Sequence, residues 1–149
     1  YALFDRSVSC ASEVEQFNGN MVFEGIIANA KVALEQGVPV ALGNDVGCPW
    51  ITQYDFWREL CYFEKHVGVS RSFALHTATL RNAQLAGIGD ITGSIEVGKE
   101  ADMIVAATNP LDDLRALRTV KHVIHRGQLI AKPRVKRKTT IDRELDKFL

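Results

Sequence analysis

An α/β fold is what the sequence predicts, and three observations predict it. The run VPVAL at residues 38–42 follows directly on a helical stretch and shows no alternation of polar and apolar residues, as in a strand covered on both faces. Helical periodicity resumes twice between residues 52 and 87. After Gly89 the pattern changes to short apolar runs and glycine turns, which reads as a small antiparallel β module.

The elements follow in order. From Asn20 to Gln36, Val22, Ile26, Ala30, Ala33 and Leu34 recur at helical spacing, and Gly37 offers a C-terminal cap. Val38 to Leu42 is the expected strand, with Pro39 tolerable only at its start or edge. Thr52 is placed to cap a second helix carrying the stripe Phe56, Trp57, Leu60, Phe63 and Val67, which ends near Gly68. Ser70 opens a third, with Phe73, Ala74, Thr77, Ala78 and Leu80 inward and Gly87 at its exit. A hairpin is expected from Ser94–Val97 and Ala101–Ala106 around Gly98 and Lys99. A helical turn is expected from Asn109 to Leu114, then strands Val120–His125 and Gln128–Ala131 around Arg126 and Gly127. The expected division is 1–88, 89–131 and a charged tail at 132–149.

Composition narrows the function. The chain has 149 residues, 46% hydrophobic and 24% charged, which is a globular composition. Lys plus Arg equals Asp plus Glu at 18 each, so no overall charge argues for a nucleic-acid or membrane partner. No apolar run reaches the length of about 18 residues that a membrane span needs. Cys10, Cys48 and Cys61 are odd in number and form no C-x-x-C pair, which fits a reducing cytoplasm rather than a disulfide framework or a cysteine zinc site.

Asp45 is the residue that the pattern singles out for chemistry. It ends the buried run between Gly43 and Gly47, where α/β folds present catalytic side chains. Such a carboxylate can bind a divalent ion and accept a proton from water, or it can simply cap the loop by accepting backbone N–H groups; on local sequence both readings stand. The histidines offer less. An offset of three in a strand sends His122 and His125 to opposite faces. His66 is expected to meet a helix C-terminus and His76 to pack on a helix. Asp112 and Asp113 read as helix-start caps, and KPRVKRK at 132–138, with no interleaved aromatics, as a solvated stretch. None of the cysteines has a base nearby in the sequence, and there is no G-x-S-x-G and no phosphate-binding glycine loop.

GVPVALGNDVG, then SRSFALHTATLRNAQLAG, then GSIEVGKEADMIV and NPLDDL, taken in this order, resemble the C-terminal third of the metal-dependent amidohydrolase superfamily, most nearly its imidazolonepropionase-related and prolidase-like members. The resemblance runs from about Asn20 to Ile130. It implies the last part of a (β/α)8 barrel, the C-terminal strands of a small β-sandwich, and hydrolysis of C–N bonds in cyclic or peptide-like amides. By position, Asp45 is then a metal ligand that also takes the proton from the attacking water and hands it to the leaving group. The implied cofactor is a divalent metal, zinc foremost, held only if further barrel ligands are supplied. The first-strand HxH pair of that superfamily has no counterpart here, nor do the fourth-strand lysine or glutamate and the histidines of the fifth and sixth strands; Asn44 replaces the more usual threonine. The expectation is therefore a chain inactive in isolation, with a small-molecule substrate in the complete enzyme and either a homo-oligomer or a missing N-terminal segment as partner. The alternative is a non-catalytic oligomerisation domain.

Overall fold

The computed structural model describes residues 12–48 and 50–149; Cys10 and Pro49 lie outside them. The first helix, α1, runs Glu13–Glu35 and starts earlier than apolar spacing alone predicts. Its start is set by a capping box. The Ser12 hydroxyl accepts from Glu15 N at 3.3 Å, and Glu15 Oε2 accepts from Ser12 N at 2.8 Å. At the other end Gly37 N donates to Leu34 O and Val38 N to Ala33 O, closing the helix on the expected glycine.

The segment 38–42 is where the expectation of a parallel strand fails. No strand is formed there among the described residues, whose sheet is the three-stranded antiparallel one further on. A strand exists only through a partner, and a side chain takes that place at Leu42. Leu42 N donates to Asn82 Oδ1 at 2.9 Å while Asn82 Nδ2 donates to Leu42 O at 2.9 Å. The apolar bodies of Val40 and Leu42 still pack against the core.

Helix α2, Phe56–Tyr62, continues through a π-helical turn, Phe63–Val67, and stops at Gly68. Thr52 does not cap it; its hydroxyl donates to Asp55 Oδ2 at 2.7 Å. Helix α3, Arg71–His76, is capped by Ser70, which accepts from Phe73 N at 3.2 Å. A second π-helical turn, Thr77–Arg81, leads into α4, Asn82–Leu85. Leu60, Phe63, Ala74 and Leu114 form the buried core, so the aromatic stripe of α2 lies where its spacing placed it. Phe73 departs from the inward set and stays exposed, its ring 6.2 Å from that of Phe63.

Beyond Gly89 the chain is packed rather than loose. A side chain at Gly93 would sit 2.7 Å from Ala83 Cβ, and Lys99 Nζ donates to Gly89 O at 2.7 Å. The expected Ser94–Val97 strand is absent, with Ile95 and Val97 exposed and facing no partner strand. Strand β1, Met103–Ala106, pairs instead with β2, Val120–His125, with a register shift between Val105 and Ala106. Strand β2 then pairs with β3, Gln128–Ile130. Arg126 and Gly127 both take positive φ, 49° and 77°, the turn that a two-residue hairpin demands. A 3-10 turn, Leu114–Arg118, starts at Asp113, whose carboxylate accepts from Arg115 N, so Asp113 caps as expected.

Residues 132–149 are not merely a solvated tail. Helix α5, Thr139–Leu145, and a 3-10 turn, Asp146–Phe148, fold back toward α2. Asp142 is buried, and Arg58 of α2 donates to its carbonyl at 3.3 Å. Arg58, 2% exposed, also lies 2.7 Å from Asp146 Oδ1 and 3.4 Å from Asp55 Oδ1. Arg118 meets Asp146 Oδ2 at 2.9 Å, and both guanidinium groups stack on Trp57. Several of these contacts are within ion-pair distance but off the hydrogen-bond line, leaving Arg58 Nε and Asp142 Oδ1 without an aligned partner. No helix among the described residues is long and apolar enough to cross a membrane.

Candidate active site

Asp45 stands at the end of the extended segment in a left-handed backbone, φ 51°. That conformation is uncommon for a residue with a side chain, though aspartate tolerates it better than most. Gly47 follows at φ 118°, a value that glycine alone adopts freely, whereas Gly43 has ordinary φ. Cys48 N donates to Asp45 O at 3.3 Å and Ile51 N to Cys48 O at 3.1 Å, so two consecutive turns fold the loop under the carboxylate. Trp50 is also left-handed, φ 70°, a costly state for so bulky a residue.

The carboxylate of Asp45 is exposed and accepts from Cys48 Sγ at 3.1 Å. Among the described residues no backbone N–H donates to it. The hydrogen bond from the thiol to Asp45, joined by the carboxylate's charge, pushes the Cys48 thiol up from its ordinary value. Cys61, half-buried on α2, is pushed up to about 11, mainly by burial. Neither thiol has the low pKa of a nucleophile.

Asp45 lies on the rim of an open cleft of about 650 Å³. The loop 43–51 contributes Gly43, Asn44, Asp45, Trp50 and Ile51, α1 contributes Phe23 and Ile26, and α2 and the turn after it contribute Glu59, Tyr62, Lys65 and His66. Leu145, Lys147 and Phe148 come from the C-terminal segment. The lining is mostly apolar with a few charged groups, the usual make-up of a small-molecule site. Burial raises Glu59, whose carboxylate has no ion pair or hydrogen bond among the described residues. His66 is shifted opposite to what a helix C-terminus alone would cause: burial first, then Lys65 and Lys31, lower it, and its ring meets Phe23 edge-on at 5.1 Å.

The other titratable groups read from the sequence stay apart from this cleft. His125 Nδ1 is 2.9 Å from Asp102 Oδ1 and His122 Nδ1 is 2.8 Å from Ala131 O, two separate structural contacts. His76 is exposed on α3. Glu59, Lys65 and the C-terminal residues are site features that sequence reasoning missed. The charged pair Arg58–Glu59 inside an otherwise aromatic stripe was the available signal.

The described residues do not fit a metal ion on their own. Among them no three His, Cys, Asp or Glu side chains converge.

Comparison with known proteins bears on this geometry. The sequence profile of the Amidohydrolase family matches residues 8–130. An imidazolonepropionase from Symbiobacterium thermophilum is 33% identical over 109 residues, which is 69% of this chain and 25% of its own length. A Bifidobacterium longum structure, provisionally described as a prolidase, is 39% identical with a TM-score of 0.91, covering 97% of this chain and 36% of its own. A Xaa-Pro dipeptidase structure with methionine bound in its active site is 36% identical with a TM-score of 0.65, over 71% of this chain and 25% of its own. The chain spans about a quarter of the length of the curated relatives it matches. With a family match over residues 8–130, most of its length, this chain belongs to the amidohydrolase family.

Proposed function

We propose that this chain supplies one part of the hydrolytic centre of an enzyme that cleaves C–N bonds in cyclic or peptide-like amides, and that Asp45 is its catalytic group. The observation that carries the reading is the placement of Asp45: an exposed carboxylate on a strained left-handed backbone, at the rim of a largely apolar cleft. Strain of that kind is retained where surrounding structure and function require it.

In this reading Asp45 accepts the proton of a water as its oxygen attacks the carbonyl carbon. The C–N bond then breaks, and Asp45 returns the proton to the departing nitrogen. Amidohydrolases are generally metal-dependent, and zinc is the ion we favour. Among the described residues no three candidate ligands converge, so in this reading further ligands come from other polypeptide, in a longer form of the protein or in a partner. We place the barrel-derived part at residues 1–88, the sandwich-derived part at 89–131 and the C-terminal segment at 132–149.

The test uses the 149-residue chain itself. Elemental analysis and assays with a cyclic amide and a dipeptide should find neither stoichiometric metal nor turnover. Co-expression with a polypeptide carrying an HxH barrel segment should restore both, and Asp45→Asn in that pair should lower kcat by about 100-fold or more. Metal with turnover in the isolated chain refutes the need for outside ligands, and full activity of Asp45→Asn refutes the role of Asp45. A second reading, a non-catalytic oligomerisation domain, is favoured by the apolar residues exposed along α1, among them Phe17 and Ile26. Self-association without any gain of activity on co-expression would select it.

A further inference from the structure

The family match ends at residue 130, yet part of the Asp45 cleft is built from residues beyond it. Leu145, Lys147 and Phe148 line the cleft together with Asp45, and their segment is fastened to α2 and the residues flanking it at three places. Tyr54 Oη accepts from Lys138 N at 2.7 Å, just ahead of α5. Arg58 reaches Asp146 at 2.7 Å and the carbonyl of Asp142 at 3.3 Å. Lys65 Nζ donates to Phe148 O at 2.8 Å. Arg58 and Lys65 lie on α2 and the π-helical turn that continues it, and both line the cleft themselves, so the segment is held in a fixed relation to the rest of the wall.

We propose that residues 139–148 are a specificity wall of this cleft: Leu145 and Phe148 contact the apolar part of the ligand, and Arg58 is the positioning residue that holds them there. The inference rests on the reading of the cleft as the site of Asp45. A wall made from residues outside the family match leaves the shared chemistry at Asp45 untouched while it sets the width and polarity of the space beside it. Truncating such a side chain removes apolar contact with the ligand and nothing from the proton transfer. Asp146 makes the positioning claim separable, because it binds Arg58 and Arg118 but does not line the cleft.

The experiment titrates the whole chain with phenylacetamide, a ring on a primary amide, and follows the backbone amide signals of Gly43 and Asn44 by NMR. Phe148→Ala and Leu145→Ala should each raise Kd by about five- to tenfold. Asp146→Asn should produce a comparable loss together with faster hydrogen exchange across 139–148. Affinity unchanged within about twofold in both alanine variants overturns the wall. Unchanged exchange and affinity in Asp146→Asn overturn the positioning role of Arg58. The wall is read in phenylacetamide affinity and hydrogen exchange of the chain, and the Asp45 mechanism in turnover of the co-expressed pair, so failure of the one and failure of the other register in different measurements.

Discussion

Asn82 does at one point what a neighbouring strand does along a whole edge. Its amide satisfies both the N–H and the C=O of Leu42, half-buried groups that would otherwise lack partners. Asn82→Ala leaves both open and should destabilise the fold by about 1–3 kcal/mol, read from urea denaturation. Asn82→Asp should cost at least as much, since it keeps the acceptor for Leu42 N but turns a carboxylate toward Leu42 O. Single residues were legible in the sequence where their reason is local. Asp45 announces itself by ending an apolar run between glycines, Ser70 by preceding a helical period, and Gly127 by closing a two-residue turn. Asn82 had no such signal, because its partner lies forty positions away.

At the level of elements, the capping box of α1 and the anchoring of α5 show two ways of fixing a helix. The first is local, and the S-x-x-E pattern at Ser12–Glu15 states it in the sequence. Ser12→Ala should cost about 1 kcal/mol, seen in the thermal midpoint. The second depends on groups far apart in sequence, Arg58 and the pair Asp142 and Asp146, which is why the C-terminal residues read as a mere tail. Arg58→Met removes the cation from among three carboxylates and should destabilise by about 3–5 kcal/mol. The pH dependence follows from Asp146. Burial works to raise it, but hydrogen bonds from Arg58 and Arg118 outweigh burial and hold it below the ordinary aspartate range. A carboxyl depressed in the folded state stabilises above that range and loses its contribution as pH falls through it. Protection of 139–148 from hydrogen exchange should therefore decline below about pH 4 while β2 stays protected.

For the molecule as a whole, the core of buried residues is small and lies between α2, α3 and the 3-10 turn at Leu114. Phe17 and Ile26 are 67% and 62% exposed on α1, far more than an amphipathic helix of a self-sufficient domain leaves open. Sedimentation should show average mass rising with concentration, and Phe17→Glu with Ile26→Lys should return it toward that of one chain. This is also where reading from sequence stopped short. Val38–Leu42 has the composition of a buried parallel strand, and composition describes the environment a segment is suited to; whether a ladder forms depends on chain that is not adjacent in sequence. The same holds for Ser94–Val97, whose alternation suits a hairpin although β1 finds its partner in β2 instead.

The amide clasp on Leu42 also gives the extended segment a handedness of approach. In an extended backbone, neighbouring residues aim their N–H and C=O groups to opposite sides. The flank that Leu42 shares with Val40 carries Asn82, while on the other flank Ala41 and Gly43 make no backbone hydrogen bond among the described residues. Any peptide selected to zip onto this segment should settle along that second flank, and replacing Asn82 should make the first one receptive as well.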